Sequence, residues 1–126
     1  MRAYSFRAAI NSGLEPREYS DEAPVGTFNA HLDFKIWGKL PALRCFFTDE
    51  EGQKFSLYAG KPKTNPNWYS PRDGGLDMSD HDAAGKWYEV TTAINSKGKI
   101  AWLSAVELPS PHQPAIISLC ADRVIY

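Results

Sequence analysis

The chain has 126 residues, of which 43% are hydrophobic and 23% charged, and these proportions exclude a largely disordered protein. Its 14 basic and 15 acidic side chains give a formal net charge of -1, which excludes the overall basicity typical of duplex-DNA-binding proteins. The length predicts a single domain over residues 1–126. No stretch reaches the roughly 20 apolar residues that span a bilayer, so we expect a cytoplasmic protein that is not bound to membranes.

The amino-terminal part is predicted to contain an edge strand followed by a long loop. Residues 4, 6, 8 and 10 are apolar, and this alternation favours an extended segment. The loop over residues 12–27 is rich in breakers, and residues 15–22 carry four acids against one base, Arg17. Its ordinary interpretation is a solvated loop. The alternative is that it mimics phosphate charge and docks on a basic groove of another protein.

The strongest local pattern is the first predicted strand, over residues 28–37. Apolar side chains at positions 28, 30, 32, 34 and 36 alternate with mostly polar ones. In a regular strand this spacing places the apolar set on one face. The opposite face then carries His31, Asp33, Lys35 and Trp37.

Four further strands are predicted over residues 43–48, 53–59, 86–94 and 99–108. The acidic turn 49–52 ends in a glycine, and residues 95–98 have the composition of a hairpin connection. A closing strand is expected over residues 115–120. The loop over residues 60–85 is too long for an inert connection in so small a domain, and a short helical turn is expected from Ser79 to Gly85.

The pattern predicts a mainly β protein, a small antiparallel β-barrel or β-sandwich of five to seven strands with one short helical turn. The succession of three strands, a long loop and two strands, over residues 28–108, resembles the oligonucleotide/oligosaccharide-binding (OB) barrel. The resemblance rests on spacing alone. It implies ligand binding on a sheet face.

Cations and aromatic residues share the stretch from residue 53 to residue 72, which contains no acid. Single-stranded nucleic acids are bound by this combination, because cations follow the phosphates and aromatic rings stack on the bases. The structural alternative is a solvated, lysine-bearing loop whose aromatic residues fold back on the barrel. With support from the first strand, the predicted contacts are Lys35, Trp37, Lys54, Tyr58, Lys61, Lys63, Trp68, Tyr69 and Arg72.

Three smaller groups of residues have structural and functional interpretations. Four carboxylates and His81 lie within residues 73–82 and suit a hard cation, but their spacing fits no metal motif and helix capping is the alternative. His31 and Asp33 share a strand face as a possible acid/base pair, although such polar residues are ordinary on a solvated face. Cys45 and Cys120 are expected to be buried free thiols.

These features favour a non-enzymatic single-stranded nucleic-acid-binding protein that needs no cofactor or metal. The alternative is a small protein-binding module, such as an inhibitor or accessory subunit of phage or plasmid origin, acting through its loops or a sheet edge. An unpaired edge strand would also allow a homodimer. A metal-assisted hydrolase using the cluster near His81 is a third hypothesis.

Overall fold

The computed structural model describes residues 3–37, 42–63 and 68–109. Within them, five antiparallel strands form one sheet, preceded by a short α-helix and a single 3-10 turn, so the predicted mainly β class is confirmed. In chain order the elements are α1 (Phe6–Asn11), the 3-10 turn (Pro16–Glu18), β1 (Gly26–Trp37), β2 (Leu43–Asp49), β3 (Lys54–Ala59), β4 (Trp87–Ile94) and β5 (Ile100–Glu107).

The strand order is β3-β2-β1-β4-β5, with the long strand β1 at the centre. The first half of β1 pairs with β4 and its second half pairs with β2. The edge strands β3 and β5 also contact each other, but they are not paired and the sheet is open. The OB-like barrel and the β-sandwich both stay predictions, since the sheet is open.

Both edges of the sheet are partly covered by loop backbone. The Ser20 amide donates to the carbonyl of Lys54 at 3.1 Å, and the Ser56 amide donates to the carbonyl of Ser20 at 2.9 Å. On the other edge, the amide of Arg72 donates to the carbonyl of Trp102 at 2.9 Å. Such covering satisfies strand groups that would otherwise be open to pairing with another chain.

A β-bulge at Asp33 corrects the predicted faces of β1. Leu32 pairs with Phe47 while Phe34 pairs with Phe46, so Asp33 is the extra residue and the alternation reverses after it. Before the bulge, the apolar side chains of β1 face the main core with Phe47. After it, Phe34 faces a second, smaller cluster, and Lys35 takes the core side.

The amino terminus was predicted as a strand, and this is wrong beyond Tyr4. Tyr4 does pair with β1, but α1 then begins after Ser5, whose hydroxyl accepts a hydrogen bond from the Ala8 amide at 3.2 Å. Ala9 is fully buried against the smaller cluster, and Gly13, at φ 86, ends the helix. An alternation of four positions is too short to exclude a single amphipathic helical segment.

The expected helical turn from Ser79 to Gly85 is also absent: within the described range 68–109 this segment forms separate turns without a helix. The Asp77 carboxylate accepts from the amide and the hydroxyl of Ser79, at 3.1 and 2.6 Å. The Asp80 carboxylate accepts from the Asp82 amide at 3.0 Å. These local side-chain acceptors compete with helical hydrogen bonds and stabilise turns instead.

Three other expectations concern membrane-spanning segments, the cysteines and residues 115–120. No helix among the described residues is long and apolar enough to cross a bilayer. Cys45 is a buried free thiol, as predicted, and burial raises its pKa to about 12. The predicted strand over residues 115–120 and Cys120 lie outside the described residues.

Candidate nucleic-acid interface

A groove of about 530 Å³ opens between the end of β3 and the start of β5. One wall is the chain that continues from β3, and the other is the segment around Ser70 that crosses to β5. The Ser70 amide donates to the Gly60 carbonyl at 2.8 Å, which joins the two walls. The groove is lined by Tyr58, Gly60, Lys61, Pro62, Lys63, Ser70, Arg72, Ala101 and Trp102.

The groove is positively charged. Lys61, Lys63 and Arg72 are exposed and line it together, and none of the three forms an ion pair within the described ranges. None of its lining residues carries a carboxylate. Four of the nine predicted contacts therefore meet here, since the side chain of Tyr58 is also 57% exposed at the rim.

Two more predicted residues lie beside the groove. The Lys61 ammonium is 5.3 Å from the ring centroid of Tyr69. Tyr69 in turn meets the ring of Trp37 edge-on, with centroids 4.9 Å apart. Trp37 is 44% exposed at the end of β1. These aromatic rings extend the cationic surface from the groove toward the end of the sheet.

Lys54 lies at the other end of β3, where its charge is paired. Its ammonium is 3.3 Å from a carboxylate oxygen of Glu18 and 5.5 Å from the ring of Tyr19. In the same way, Arg44 of β2 pairs with Asp21 at 2.8 Å. The outer face of β2 and β3 thus carries cations that acidic residues of the amino-terminal loop already contact.

Lys35 was predicted on an outward face, and this placement is wrong because the bulge turns the residue inward. Its side chain is fully buried, and its ammonium donates to the carbonyls of Met78 at 2.9 Å and Asp80 at 2.6 Å. Burial lowers its pKa, although Cys45 and the carboxylates of Asp80 and Asp77 act in the opposite direction. Lys35 thus anchors the long loop to the sheet from beneath.

Trp68 lines a different cavity, of about 260 Å³, which the long loop forms with β4 and β5. The cavity is mainly acidic, being lined by Asp77, Asp80, Asp82 and Glu107. Acidic walls repel phosphates, so Trp68 is not grouped with the basic groove. Among the described residues, no group of three or more metal-ligating side chains is close enough to hold an ion, the predicted cluster of residues 73–82 included.

His31 and Asp33 are in contact, as the strand pattern suggested, but Asp33 mainly fastens the amino-terminal loop. One of its oxygens lies 2.6 Å from the His31 Nδ1, and the other accepts from the hydroxyls of Tyr19 at 2.8 Å and Thr48 at 2.5 Å. Burial raises the pKa of Asp33, but these three hydrogen bonds outweigh it, so the pKa lies below its usual value. Burial and Asp33 raise the pKa of Tyr19.

Three residues at or beside the groove were not predicted from the sequence: Arg44, Ser70 and Trp102. Arg44 occupies an alternate position of β2 and its guanidinium lies 5.8 Å from the Tyr58 ring, so strand alternation was a usable signal. Ser70 and Trp102 reach the groove only through long-range backbone pairing. The Ser70 hydroxyl is buried and has no hydrogen-bond partner in the described part of the chain.

Comparison with known proteins gave no match, whether to a family model, a curated protein or a solved structure.

Proposed function

We propose that the protein binds single-stranded nucleic acid in the groove between β3 and β5. The observation that carries this proposal is the set of three cations, Lys61, Lys63 and Arg72, which form no ion pair with the described residues and line a groove whose lining residues carry no carboxylate. Phosphate contacts of this kind supply most of the sequence-independent affinity for nucleic acid.

Aromatic surface next to these cations favours a single strand over a duplex. Tyr58 is exposed at the rim, and Trp37 is exposed beside Tyr69. Unpaired bases stack on such rings, and each stack contributes about 1–3 kcal/mol. The groove, of about 530 Å³, is large enough to hold a short stretch of a single strand.

The proposal is tested by titrating the protein with oligo(dT) of about 12 nucleotides while following tryptophan fluorescence. We expect quenching, because Trp37 and Trp102 lie at or beside the groove. The association constant is expected to fall as salt rises, with a slope of about 0.7 per phosphate contact. The absence of both signals at low salt, with oligo(U) as well as oligo(dT), would contradict the proposal.

A protein partner or a second copy of the chain is the second candidate, and exposed apolar residues on β4 and β5 favour it. Ile94 and Val106 are 61% and 57% exposed, and β5 is an edge strand. Light scattering over a wide concentration range tests self-association. A constant monomer mass would remove the homodimer.

A further inference from the structure

The outer face of β2 and β3 carries two cations, and both are paired with one short acidic segment. The Asp21 carboxylate lies 2.8 Å from the Arg44 guanidinium, and the Glu18 carboxylate lies 3.3 Å from the Lys54 ammonium. The two carboxylates are therefore bound at the points where phosphates of a strand crossing this face would be bound.

The backbone between these acids is held firmly in place. Ser20 adds to the edge of β3 through two backbone hydrogen bonds, to Lys54 and from Ser56. The ring of Tyr19 packs edge-on against both Phe34 and Phe46, with centroids 5.4 and 5.2 Å apart. The segment therefore presents its carboxylates from a fixed position.

The acidic side chains themselves are largely exposed to solvent. The side chain of Asp21 is 80% exposed and that of Glu18 is 58% exposed. The Lys54 side chain is 43% exposed and that of Arg44 is 22% exposed, so the Lys54–Glu18 pair is the more open of the two. Ion pairs open to solvent are weak and are screened by salt. Each carboxylate can thus leave its cation while Tyr19 and the Ser20 backbone stay docked.

The outer face of β2 and β3, which the acidic segment covers, is continuous with the groove through Tyr58. Tyr58 lines the groove, and on the other side its ring lies 5.8 Å from the guanidinium of Arg44. A strand that leaves the groove past Tyr58 meets Arg44 first and then Lys54, on the neighbouring strand. At both positions it competes with a carboxylate of the chain's own loop.

We propose that Glu18 and Asp21 are internal competitors that limit the nucleic-acid-binding surface to the groove until a strand displaces them. This inference rests on the proposed function and adds a regulation of the same surface. Displacement exchanges a carboxylate for a phosphate at each cation, so these two cations add little to the affinity of the wild-type protein for nucleic acid. When the carboxylates are removed, the phosphate contacts no longer replace an existing ion pair, and the affinity should rise.

The test compares oligo(dT) binding by the wild-type protein and the E18Q/D21N variant, with D82N/E89Q as the matched control. Each double variant removes one Asp and one Glu charge, and Asp82 and Glu89 are exposed residues that neither line the groove nor belong to the acidic segment. We expect E18Q/D21N to bind about fivefold more tightly than the control, with a salt slope steeper by up to about 1.4. Adding K54Q to E18Q/D21N is expected to remove part of that gain.

The outcomes separate the two proposals. If E18Q/D21N and the control bind equally, the competition is overturned while groove binding stands. If the wild-type protein and every variant fail to bind, both proposals are overturned. The single variants E18Q and D21N are each expected to show part of the gain, which preserves the test if the double variant unfolds.

Discussion

The two basic regions of this sheet differ in what faces their cations. On the outer face of β2 and β3, Arg44 and Lys54 are paired with carboxylates of the amino-terminal loop. In the groove between β3 and β5, Lys61 and Lys63 are lysines without an ion pair among the described residues. The sequence shows the basic residues of both regions equally well. In the structure, those of the first region are ion-paired and those of the second are open to a ligand.

The local charge of a sequence segment therefore does not show which of its cations remain without an ion pair in the fold. Residues 53–72 contain no acid, but Lys54 meets Glu18 because β3 pairs along its edge with the segment around Ser20. The sheet topology decides which cations are neutralised. Four substitutions test this difference. The first affects nucleic-acid affinity, and the other three affect stability in decreasing order.

Neutralising the available cations is expected to have the largest effect on nucleic-acid affinity. The K61Q/K63Q variant should lose about tenfold or more in affinity for oligo(dT) at low salt, and its salt slope should fall by about 1.4. The matched control is R7Q/R17Q, which removes the same charge from exposed positions outside the groove. Equal losses in the two variants would show that binding follows net charge and not the groove.

Removing the anchor of the covered face is expected to lower stability. The D33N variant loses an ionised acceptor for His31, Thr48 and Tyr19. Hydrogen bonds to charged groups contribute about 1.5–3 kcal/mol, so we expect a loss of that size in the free energy of unfolding, measured with urea. An unchanged midpoint would contradict the role given to Asp33.

The pH dependence checks the same residue. Because its folded pKa lies below the usual 3.8, the stability from ionised Asp33 is present above that value and lost as pH falls through the folded pKa. The difference in unfolding free energy between wild type and D33N should therefore shrink as the pH falls below 3.8. A constant difference would contradict the lowered pKa.

Replacing Lys35 tests its anchoring of the long loop to the sheet. The K35M variant keeps the apolar stem but leaves the carbonyls of Met78 and Asp80 without their donor. An unsatisfied buried acceptor costs about 1–3 kcal/mol. We expect a loss of unfolding free energy in this range and faster amide exchange in the loop. Exchange rates equal to those of the wild type would contradict the anchoring.

The smallest effect is expected from S70A. The hydroxyl of Ser70 is buried without a partner in the described residues, so its removal breaks no hydrogen bond. The urea midpoint should stay unchanged or rise, by no more than about 1 kcal/mol in unfolding free energy. The control is S56A, which should destabilise because the Ser56 hydroxyl accepts from the Arg44 Nε at 2.9 Å.

The strands were predictable because their signals are local. Alternation and two glycine-containing turns located all five strands, and the hairpin residues 95–98 join β4 to β5 as expected. The bulge was not predictable, since one extra residue at Asp33 leaves no mark in the alternation itself. It reversed the faces assigned to Lys35 and Trp37.

The sequence predicted most of the residue types that line the groove, but it did not predict which residues of the long loop reach it. The long loop supplied Lys61, Lys63 and Arg72 to the groove, whereas Trp68, from the same loop, lies in an acidic cavity. That division depends on backbone pairing of Ser70 with Gly60 and of Arg72 with Trp102. Contacts between residues so distant in the chain have no local sequence signal.

The gap between β3 and β5 also has a mechanical consequence. The two edges are joined by the loop but not by a ladder of their own, so they can separate without breaking strand pairs. A ligand that contacts Lys61 on one side and Arg72 on the other would hold the two edges together. The temperature of unfolding should then rise as more of the groove is occupied by ligand, because the ligand binds only the folded form.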